Sequence, residues 1–572
     1  MVSFCYSVRF AVTMPFASIT ITALSAGRTR TRLHELRKPN TSYSSLEKSL
    51  MALNFLAEIL PLVALLLSVA YISVLFYRWT KLRNYPPGPW GLPILGNLAQ
   101  LGSSPHIKLT ELSKVYGDVF SLKFGSRKAV VLNSEEVVRE ALLKNSRQLS
   151  NRPLLFAAKN VRKTSISFGE HCSAQVLRKR CALRAIHQVA FDKQEYFNKI
   201  VQDAFLEFQE SLAEKEVKTF QPSVDLKQVV IKIMFHFTFG EDPCNVDQLI
   251  EEMQKLVEES SEFTESSAAC GLVDFLPWIK PFIRKQVAMV ERSIEGLMSF
   301  VDKVYTNTTS REKATDKNCI ALSFAKLWEE AKIKYYEEIK MDLDLEEPTD
   351  LPNSSPKENQ PNNGKEEIVK MLSADIFGAG LETVSNSLCW AMAYIVNNPE
   401  IQQSLHRELD NAVGRHLLPT IQDKRNMPLL QATVLEVLRI ASVLPLALPH
   451  ETAAKTTLSG YTIPKDTIVV INLWAVNHDP RVFQEPHVFN PYRFLNENGE
   501  VCDVKTKFQL PFSIGSRRCL GSSLAKAEMF LLLACLLQRF QFSRAKPDYV
   551  DLESQFGLSL RPKNFSVCAN LR

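Results

Sequence analysis

The sequence lacks the cysteine patterns that mark disulfide frameworks, zinc sites and covalently attached haem. Its 572 residues include eleven cysteines, but no C-x-x-C pair and no C-x-x-C-H occurs among them. An odd set of scattered cysteines forms no disulfide framework, and both zinc fingers and c-type haem attachment need paired cysteines. The sequence also lacks a strong charge imbalance, because the net charge of +6 is spread along the chain. Nothing therefore indicates a nucleic-acid partner.

The composition is that of an ordinary globular protein, with 45% hydrophobic and 23% charged residues. The length favours one large catalytic domain. Two short β-like runs at 119–124 and 129–132 indicate a hairpin, and helical periodicity dominates elsewhere. We therefore predict a mainly α fold with a minor β portion near both ends. Clear helical periodicity is found at 134–144, 193–212, 246–260, 366–397, 400–413 and 429–441.

Residues 1–50 contain seven basic residues and only two acids, Glu35 and Glu47. A basic, acid-poor segment rich in Ser and Thr is typical of a mitochondrial targeting segment. The alternative is that the sequence has been extended too far upstream and that translation starts at Met51. The segment that follows Met51 has the features of a complete membrane-anchoring leader. We favour the over-extended start on composition.

Residues 51–83 are predicted to form a transmembrane anchor with a basic flank. The nineteen residues from Ile59 to Tyr77 are uncharged, and Arg78, Lys81 and Arg83 follow. This length suffices to cross a bilayer as a helix, and the basic flank places the remaining chain on the cytoplasmic side. A buried core helix or a cleaved signal segment is the less favoured alternative.

Three further divisions follow from composition. Residues 84–93 are rich in proline and read as a stiff hinge, because proline interrupts helices. Residues 94–572 are expected to form the one large domain, which we predict to be the catalytic one. Within it, 306–365 loses periodicity and becomes acidic and then rich in Pro, Asn and Ser, so we predict a largely disordered insert.

Cys519 stands in a segment suited to hold a thiolate. Arg517 and Arg518 precede it, and an apolar helical pattern follows. Cationic neighbours and a helix N-terminus favour the charged form of a thiol, which is the form that binds metals. Gly515 and Gly521 allow a tight turn and close approach to a flat ligand. The alternative is a free cysteine that is simply buried.

The pattern Phe512-x-x-Gly515-x-Arg517-x-Cys519-x-Gly521 resembles the haem-binding signature of the cytochromes P-450. The resemblance implies the cytochrome P-450 fold and haem b as cofactor, with Cys519 as the axial ligand of the iron. A thiolate in that position favours O–O cleavage. Phe512, Gly515, Arg517 and Gly521 are then cofactor-binding residues.

A second motif lies in a long apolar helix, where Gly378 and Gly380 are unfavourable to helix propensity. Glu382 and Thr383 follow, and an acid beside an alcohol can relay protons from solvent to a bound oxygen species. The alternative is helix packing with a solvated glutamate. Ala379-Gly380-x-Glu382-Thr383 also resembles the oxygen-activation motif of the same family, which implies catalytic roles for Thr383 and Glu382.

Glu436 and Arg439 are spaced to pair on one helix face, which alone would be a weak exposed ion pair. They resemble the E-x-x-R element of the family. The resemblance implies a structural lock with Arg493.

The two haem propionates require cations or strong donors. The resemblance implies that Arg517 and His450 contact them. The family's W-x-x-x-R helix has no tryptophan counterpart within 168–180, and Arg178 is the best candidate there, with Arg180 as the alternative.

An apolar pocket over the haem face should bind the substrate. By family position, its predicted walls include Phe377, Ala379, Val443, Leu446 and Phe556. The alternative for these residues is ordinary core packing, since such side chains are usually buried.

The resemblance implies a membrane-anchored monooxygenase of the animal microsomal type. It inserts one oxygen atom into a lipophilic substrate, steroid or aromatic, with electrons from an NADPH-dependent reductase and possible help from a cytochrome b-type donor. Segments such as Leu448-Pro449-His450 are similar to those of steroid 17-alpha-hydroxylases and aryl-hydrocarbon hydroxylases. The expected location is the endoplasmic reticulum membrane, or the mitochondrion if residues 1–50 are a transit segment. The alternatives are an anchored haem sensor or carrier, and a reductase-independent isomerase or peroxygenase.

Overall fold

The structure is a computed structural model that describes residues 59–73, 84–159, 161, 163–214, 219–240, 252, 271–309, 318–342, 363–502, 506–546 and 548–572. The chain divides into two units, and the larger one spans Pro86–Arg572. In the other unit, residues 59–73 form a helix. No helix in the described ranges is both long and apolar enough to cross a membrane. Residues 1–50 and the remainder of the predicted anchor up to 83 lie outside the described residues.

Helices dominate the larger unit, as the apolar periodicity predicts. The helix α2 continues into a π-helical turn at Glu140–Lys144, and the predicted helix at 246–260 lies outside the described residues apart from residue 252. The α-helices are α1 Pro105–Tyr116, α2 Glu135–Arg139, α3 Ser146–Leu149, α4 Ser173–Ala190, α5 Gln194–Ala213, α6 Pro222–Phe239, α7 Arg284–Thr309, α8 Ile320–Asp342, α9 Asn363–Asn397, α10 Pro399–Ala412, α11 Pro428–Ala441, α12 Leu473–Asn477 and α13 Ser522–Arg539.

The long helix α9 runs through the centre of the unit and packs against α6, α7, α11 and α13. It is apolar on nearly all sides, which is why it is buried rather than amphipathic. A Cβ at Gly380 would collide with the side chain of Met234 on α6, whereas a Cβ at Gly378 would meet only an ordinary contact. The atoms that meet Gly380 belong to the flexible end of the Met234 side chain, which can shift, so the packing of α6 on α9 does not depend on this glycine alone.

The β portion consists of short strands in separate small sheets. In the four-stranded sheet, in the order β1-β2-β7-β4, β1 and β2 form the predicted antiparallel hairpin, and β7 pairs with β2 in parallel. A three-stranded sheet has the order β3-β11-β8, and β9 pairs with β10 and β5 with β6. The strands are β1 Val119–Phe124, β2 Arg127–Leu132, β3 Thr219–Phe220, β4 His450–Glu451, β5 Thr456–Leu458, β6 Tyr461–Ile463, β7 Ile468–Ile471, β8 Phe540–Arg544, β9 Ser554–Phe556, β10 Leu560–Pro562 and β11 Val567–Leu571.

The prediction of a largely disordered insert at 306–365 is wrong where the structure describes that segment. Residues 320–342 form helix α8, which packs against α4. Ile320, Phe324 and Trp328 are spaced four residues apart and are buried in the main core. That apolar spacing was present in the sequence, but the polar and acidic residues around it obscured it. Residues 343–362 lie outside the described residues.

From Pro86 onward, the predicted hinge at 84–93 belongs to the larger unit and is hydrogen-bonded to it. The backbone N–H of Ser121 donates to the carbonyl of Pro87 at 2.7 Å, and its hydroxyl donates to the carbonyl of Pro86 at 2.8 Å. A Cβ on Gly88 would collide with the Ser121 carbonyl. The segment is therefore fastened to strand β1.

Glu436, Arg439 and Arg493 come together in the interior. Arg439 donates from Nε to Oε2 of Glu436 at 2.8 Å and from Nη2 to Oε1 at 2.9 Å, while Nε of Arg493 donates to the same Oε1 at 3.0 Å. Arg439 also donates to the carbonyls of Asn477 and Pro486. Glu436 and Arg439 are fully buried. Helix α11 is thereby connected to the segment at Pro491–Phe494.

Replacing Glu436 by Gln should destabilise the protein by about 3–5 kcal/mol, because it leaves two guanidinium groups without their buried anion. The measurement is the unfolding midpoint in denaturant. Glu111→Gln is the control, since its ion pair with Lys108 is exposed to solvent and contributes little to stability. Equal effects of the two substitutions would contradict a stabilising lock.

Candidate active site

The loop before α13 places Cys519 on the wall of a cavity. The backbone N–H of Cys519 donates to the carbonyl of Phe512 at 3.0 Å, which closes the loop, and Gly515–Arg517 forms a single 3-10 turn within it. Gly515 has φ +76, and a Cβ there would collide with the Leu142 carbonyl. Gly521 precedes α13, and a Cβ there would meet open space. The tight turn thus depends on Gly515, whereas Gly521 leaves room beside the cysteine.

Cys519 has accessible surface, yet the protein encloses it closely. The accessible surface of Cys519 faces the cavity, and the rest of the side chain is surrounded by protein. Burial raises the pKa of the Cys519 thiol, while a hydrogen bond from the backbone of Gly521 and the charges of Lys179 and Arg518 lower it. The net direction is upward. Of the two arginines that precede the cysteine, Arg518 is the one whose charge lowers this pKa.

The cavity has an empty volume of ≈ 1520 Å³, part of which is open to solvent. The Cys519 loop, α9, α13 and the segment at 443–450 form its walls, and apolar side chains make up most of them. Cys519 and Thr383 both line it. The two predicted motifs, 136 positions apart in the sequence, therefore face one space.

Thr383 and Glu382 point to different environments. Thr383 lines the cavity, and its Oγ1 donates to the carbonyl of Ala379 at 2.7 Å, which leaves the oxygen able to accept a hydrogen bond. Glu382 does not line the cavity. Its Oε1 accepts from Asn386 at 2.9 Å and from Ser559 at 3.0 Å, and its Oε2 lies 3.8 Å from Nζ of Lys227. Glu382 is half-buried at the outer side of α9, between the cavity-facing turn and solvent.

Two arginines line one end of the cavity. Arg517 donates to the carbonyls of Ser150 at 2.8 Å, Ile166 at 3.0 Å and Gly169 at 2.5 Å. Arg152, which the sequence analysis missed, lines the same end and is buried. Burial and the nearby Arg517 lower the pKa of Arg152 to about 9.

Arg152 donates to the carbonyls of Ser167, Leu448 and Pro449. Neither Arg152 nor Arg517 has a carboxylate partner within the part of the chain that the structure describes. This end of the cavity therefore carries positive charge that an anionic ligand can neutralise.

His450 lines the cavity at the same end and is buried. Its Nδ1 lies 2.6 Å from the carbonyl of Leu149, so Nδ1 carries the proton and donates. Burial and the charge of Arg152 hold the pKa of His450 well below its usual value. The remaining ring nitrogen of the neutral form accepts but cannot donate. His450 would have to take up a proton to bind a carboxylate.

Helix α4 does not present Arg178 to the cavity. The cavity-lining residues of α4 are Gln175, Lys179 and Ile186, whereas Arg178 is buried and its Nε has no hydrogen-bond partner in the described residues. Gln175 and Lys179 are four residues apart and share a face of the helix. The propionate contact predicted for Arg178 therefore stays a prediction, and the structure offers Lys179 as the cation of α4 that lines the cavity.

The predicted pocket residues divide into two groups. Ala379 and Val443 line the cavity. Phe377 is fully buried and packs on Phe239 and Phe300, so it belongs to the core. Phe556 stacks on His106 at a ring-centroid distance of 5.4 Å, and Leu446 packs against the core beneath the four-stranded sheet; neither lines the cavity.

Asp375 and Met234 were missed and line the cavity. Asp375 stands one helical turn before Ala379 on the same face of α9, a spacing that could have revealed it. Its carboxylate accepts from the hydroxyl of Ser165 at 2.9 Å and from the backbone N–H of Ile166 at 2.7 Å. Burial raises the pKa of Asp375 to about 6 despite these hydrogen bonds. Asp375 thus fastens the 165–167 loop to α9.

Glu528 on α13 is a further cavity-lining acid that was missed. It is fully buried, and neither of its carboxyl oxygens has a hydrogen-bond partner in the described residues. Burial alone raises the pKa of Glu528 to about 8. The side chain is therefore mostly protonated and neutral at pH 7, which removes the cost of burying its charge.

The raised pKa of Glu528 has a consequence for stability. The folded state binds the Glu528 proton more tightly than the unfolded state, in which the pKa of this side chain is about 4.5. The stabilisation is fully present below about pH 4.5 and is lost as the pH rises toward 8. The unfolding midpoint of Glu528→Gln, relative to wild type, should therefore increase between these pH values. A pH-independent difference would contradict the raised pKa, and Glu553→Gln at an exposed site is the control.

Comparison with known proteins agrees with this geometry. The family model "Cytochrome P450" matches residues 86–569. Cytochrome P450 1A2 from Cavia porcellus is 34% identical over 493 residues, which cover 83% of this chain and 89% of that protein. Cytochrome P450 1A1 from Oryzias latipes is 34% identical over 543 residues, covering 92% and 99%. The chain belongs to the cytochrome P450 family.

The protein is accordingly a haem-thiolate monooxygenase of the animal microsomal type. It uses haem b, takes electrons from NADPH through a reductase and acts on a lipophilic substrate. The cavity fits this cofactor, because haem b is a flat, mostly apolar group with two carboxylates. A cysteine stands on one wall and apolar side chains form most of the others. At one end, Arg152 and Arg517 have no carboxylate partner among the described residues.

Proposed function

We propose that this chain hydroxylates a steroid or a planar aromatic compound held between the Cys519 loop and the Thr383 turn of α9. The observation that carries the proposal is that Cys519 and Thr383 line one cavity whose other walls are mainly apolar. An apolar wall binds a lipophilic molecule, and the few polar groups orient it. The polar groups on the α9 side are Asp375, Thr383 and Ser387.

Residue roles follow from the contacts. Cys519 would ligate the iron of haem b, which when bound supplies the activation of dioxygen and the insertion of one oxygen atom. Arg517 and Arg152 would hold the propionates, because both are cationic, enclosed and without a carboxylate partner in the described residues. His450 would join them in its protonated form. Phe512, Gly515 and Gly521 would shape the loop around the cofactor.

Thr383 would hold a proton at its hydroxyl oxygen on the cavity side of α9. Glu382 would supply protons from solvent, because it lies at the outer side of the same turn. Asn386, Ser559 and Lys227 hold the Glu382 carboxyl group in a fixed position, which suits a group that passes protons on.

The steroid 17-alpha-hydroxylase-like and aryl-hydrocarbon-type activities belong to this proposal as the two substrate classes to screen. The support for aromatic substrates is the similarity to cytochromes P450 1A1 and 1A2. The support for steroids is the motif Leu448-Pro449-His450, of which Leu448 and His450 line the cavity. We place the protein at the endoplasmic reticulum membrane with its catalytic domain on the cytoplasmic side; a mitochondrial location would follow from a true transit segment at 1–50.

The Cys519→Ala variant should lose thiolate-ligated haem. The measurement is the reduced, carbon-monoxide difference spectrum of membranes that contain the protein, in which the wild type should show a strongly red-shifted Soret band. Cys502→Ala, at another free cysteine away from the cavity, should keep the band. A wild type without the band would overturn the proposal. Turnover without NADPH and reductase would favour an isomerase or peroxygenase, and binding without turnover a carrier.

Thr383→Val should lower product formation by about 10²-fold, because it removes the hydroxyl while keeping the shape of the side chain. NADPH consumption should fall much less, so product formed per NADPH should decrease. Ser385→Ala is the matched control, since its hydroxyl also bonds back along α9, to the Leu381 carbonyl, but does not line the cavity. A Thr383→Val enzyme with unchanged product per NADPH would remove Thr383 from proton delivery.

A further inference from the structure

Helix α4 contacts the Cys519 loop through Lys179. The Nζ atom of Lys179 donates to the carbonyl of Ser516 at 2.6 Å and to the carbonyl of Arg518 at 2.7 Å. These carbonyls belong to residues on either side of Arg517, and Arg518 directly precedes Cys519. One ammonium group therefore bridges two points of the loop that carries the cysteine.

Other contacts hold the opposite side of the same loop. Arg517 donates to the carbonyl of Ser150, and the hydroxyls of Ser150 and Ser516 are hydrogen-bonded to each other. These contacts tie the loop to the chain after α3, whereas Lys179 ties it to α4. Hydrogen bonds from an ammonium group are stronger than those between neutral groups. Arg517 also donates to the carbonyls of Ile166 and Gly169, so removing Lys179 would leave these ties in place but would take away the hydrogen bonds from helix α4 to the loop.

Lys179 also stands near the thiol. Lys179 and Cys519 both line the cavity. Burial and then the charge of Arg517 lower the pKa of Lys179 to about 8, which leaves its amine mostly charged at pH 7. Gln175, one turn earlier on the same face of α4, lines the cavity and donates to the carbonyl of Ile166 at 3.1 Å. These two residues have the four-residue spacing of the W-x-x-x-R element whose tryptophan this chain lacks. Here a lysine occupies the second position, and it contacts the cysteine loop.

We propose that Lys179 is a positioning residue that fastens the Cys519 loop to helix α4 and so keeps the sulfur in place as a ligand. The proposal rests on the proposed function, because the role of the loop is to hold the haem ligand. It predicts that losing Lys179 weakens thiolate ligation without preventing haem binding, since Arg152 and Arg517 remain available for the propionates.

The test compares full-length Lys179→Met with wild type in three measurements: haem per protein, the reduced carbon-monoxide difference spectrum over time, and amide hydrogen exchange across residues 512–521. We expect near-normal haem content, loss of the thiolate-ligated band at least about tenfold faster, and faster exchange in the loop, consistent with the loss of charge-assisted hydrogen bonds. Lys179→Arg keeps the positive charge and the hydrogen-bond donors. The thiolate-ligated band of this variant should therefore persist for nearly as long as that of wild type. Arg184→Met removes a cation from an exposed position on α4 and should match wild type.

The outcomes separate the two proposals. A wild type without the thiolate band refutes the proposed function and this inference with it. A normal wild type together with an unchanged band lifetime and loop exchange in Lys179→Met refutes only the inference. Low haem content with a stable band in the haem that remains also refutes it, because Lys179 would then be a propionate partner. If Lys179→Met does not accumulate, Lys179→Gln, which keeps an amide donor but loses the charge, is measured in its place.

Discussion

Arg517 is a buried cation that no carboxylate neutralises in the described part of the chain, and the surrounding architecture satisfies it with backbone carbonyls. Its three hydrogen bonds join the Cys519 loop to Ser150, Ile166 and Gly169. An enclosed charge is costly unless its donors are satisfied, so these segments cannot move independently. Asp375 holds the 165–167 segment from the other side through Ser165 and Ile166. The wall between α9 and the cysteine loop is therefore continuous.

The cavity is chemically asymmetric. Arg152 and Arg517 lie at one end, while the α9 side is mainly apolar and carries Asp375, Thr383 and Ser387 as its polar groups. Glu528 adds a carboxyl group that is kept neutral by burial rather than by a partner. The arginines that can bind an anionic group are thus separated from the Thr383 hydroxyl, which is proposed to deliver protons. Glu382 remains accessible because Asn386, Ser559 and Lys227 hold it at the outer side of the helix.

Local patterns predicted much of the fold and the principal site residues. The hairpin of β1 and β2 and most helices followed from periodicity, since each depends on neighbours a few residues apart. Helix α8 was missed because polar residues diluted its apolar spacing. Phe377 and Phe556 were misplaced for a different reason: a large apolar side chain suits a pocket wall and a core equally well, and only its neighbours distinguish the two. Arg178 was chosen by residue type, whereas the rotation of α4 brings Gln175 and Lys179 to the cavity.

The sequence by itself determined the elements whose chemistry is contained in a short stretch. These are the glycine-dependent turn before Cys519, the acid and alcohol at Glu382 and Thr383, and the spacing of Glu436 and Arg439. The tertiary structure alone decided which distant groups satisfy the buried charges. Arg152 and Lys179 donate to carbonyls almost 300 or more positions away, and a carbonyl acceptor leaves no signature in the sequence because every residue has one.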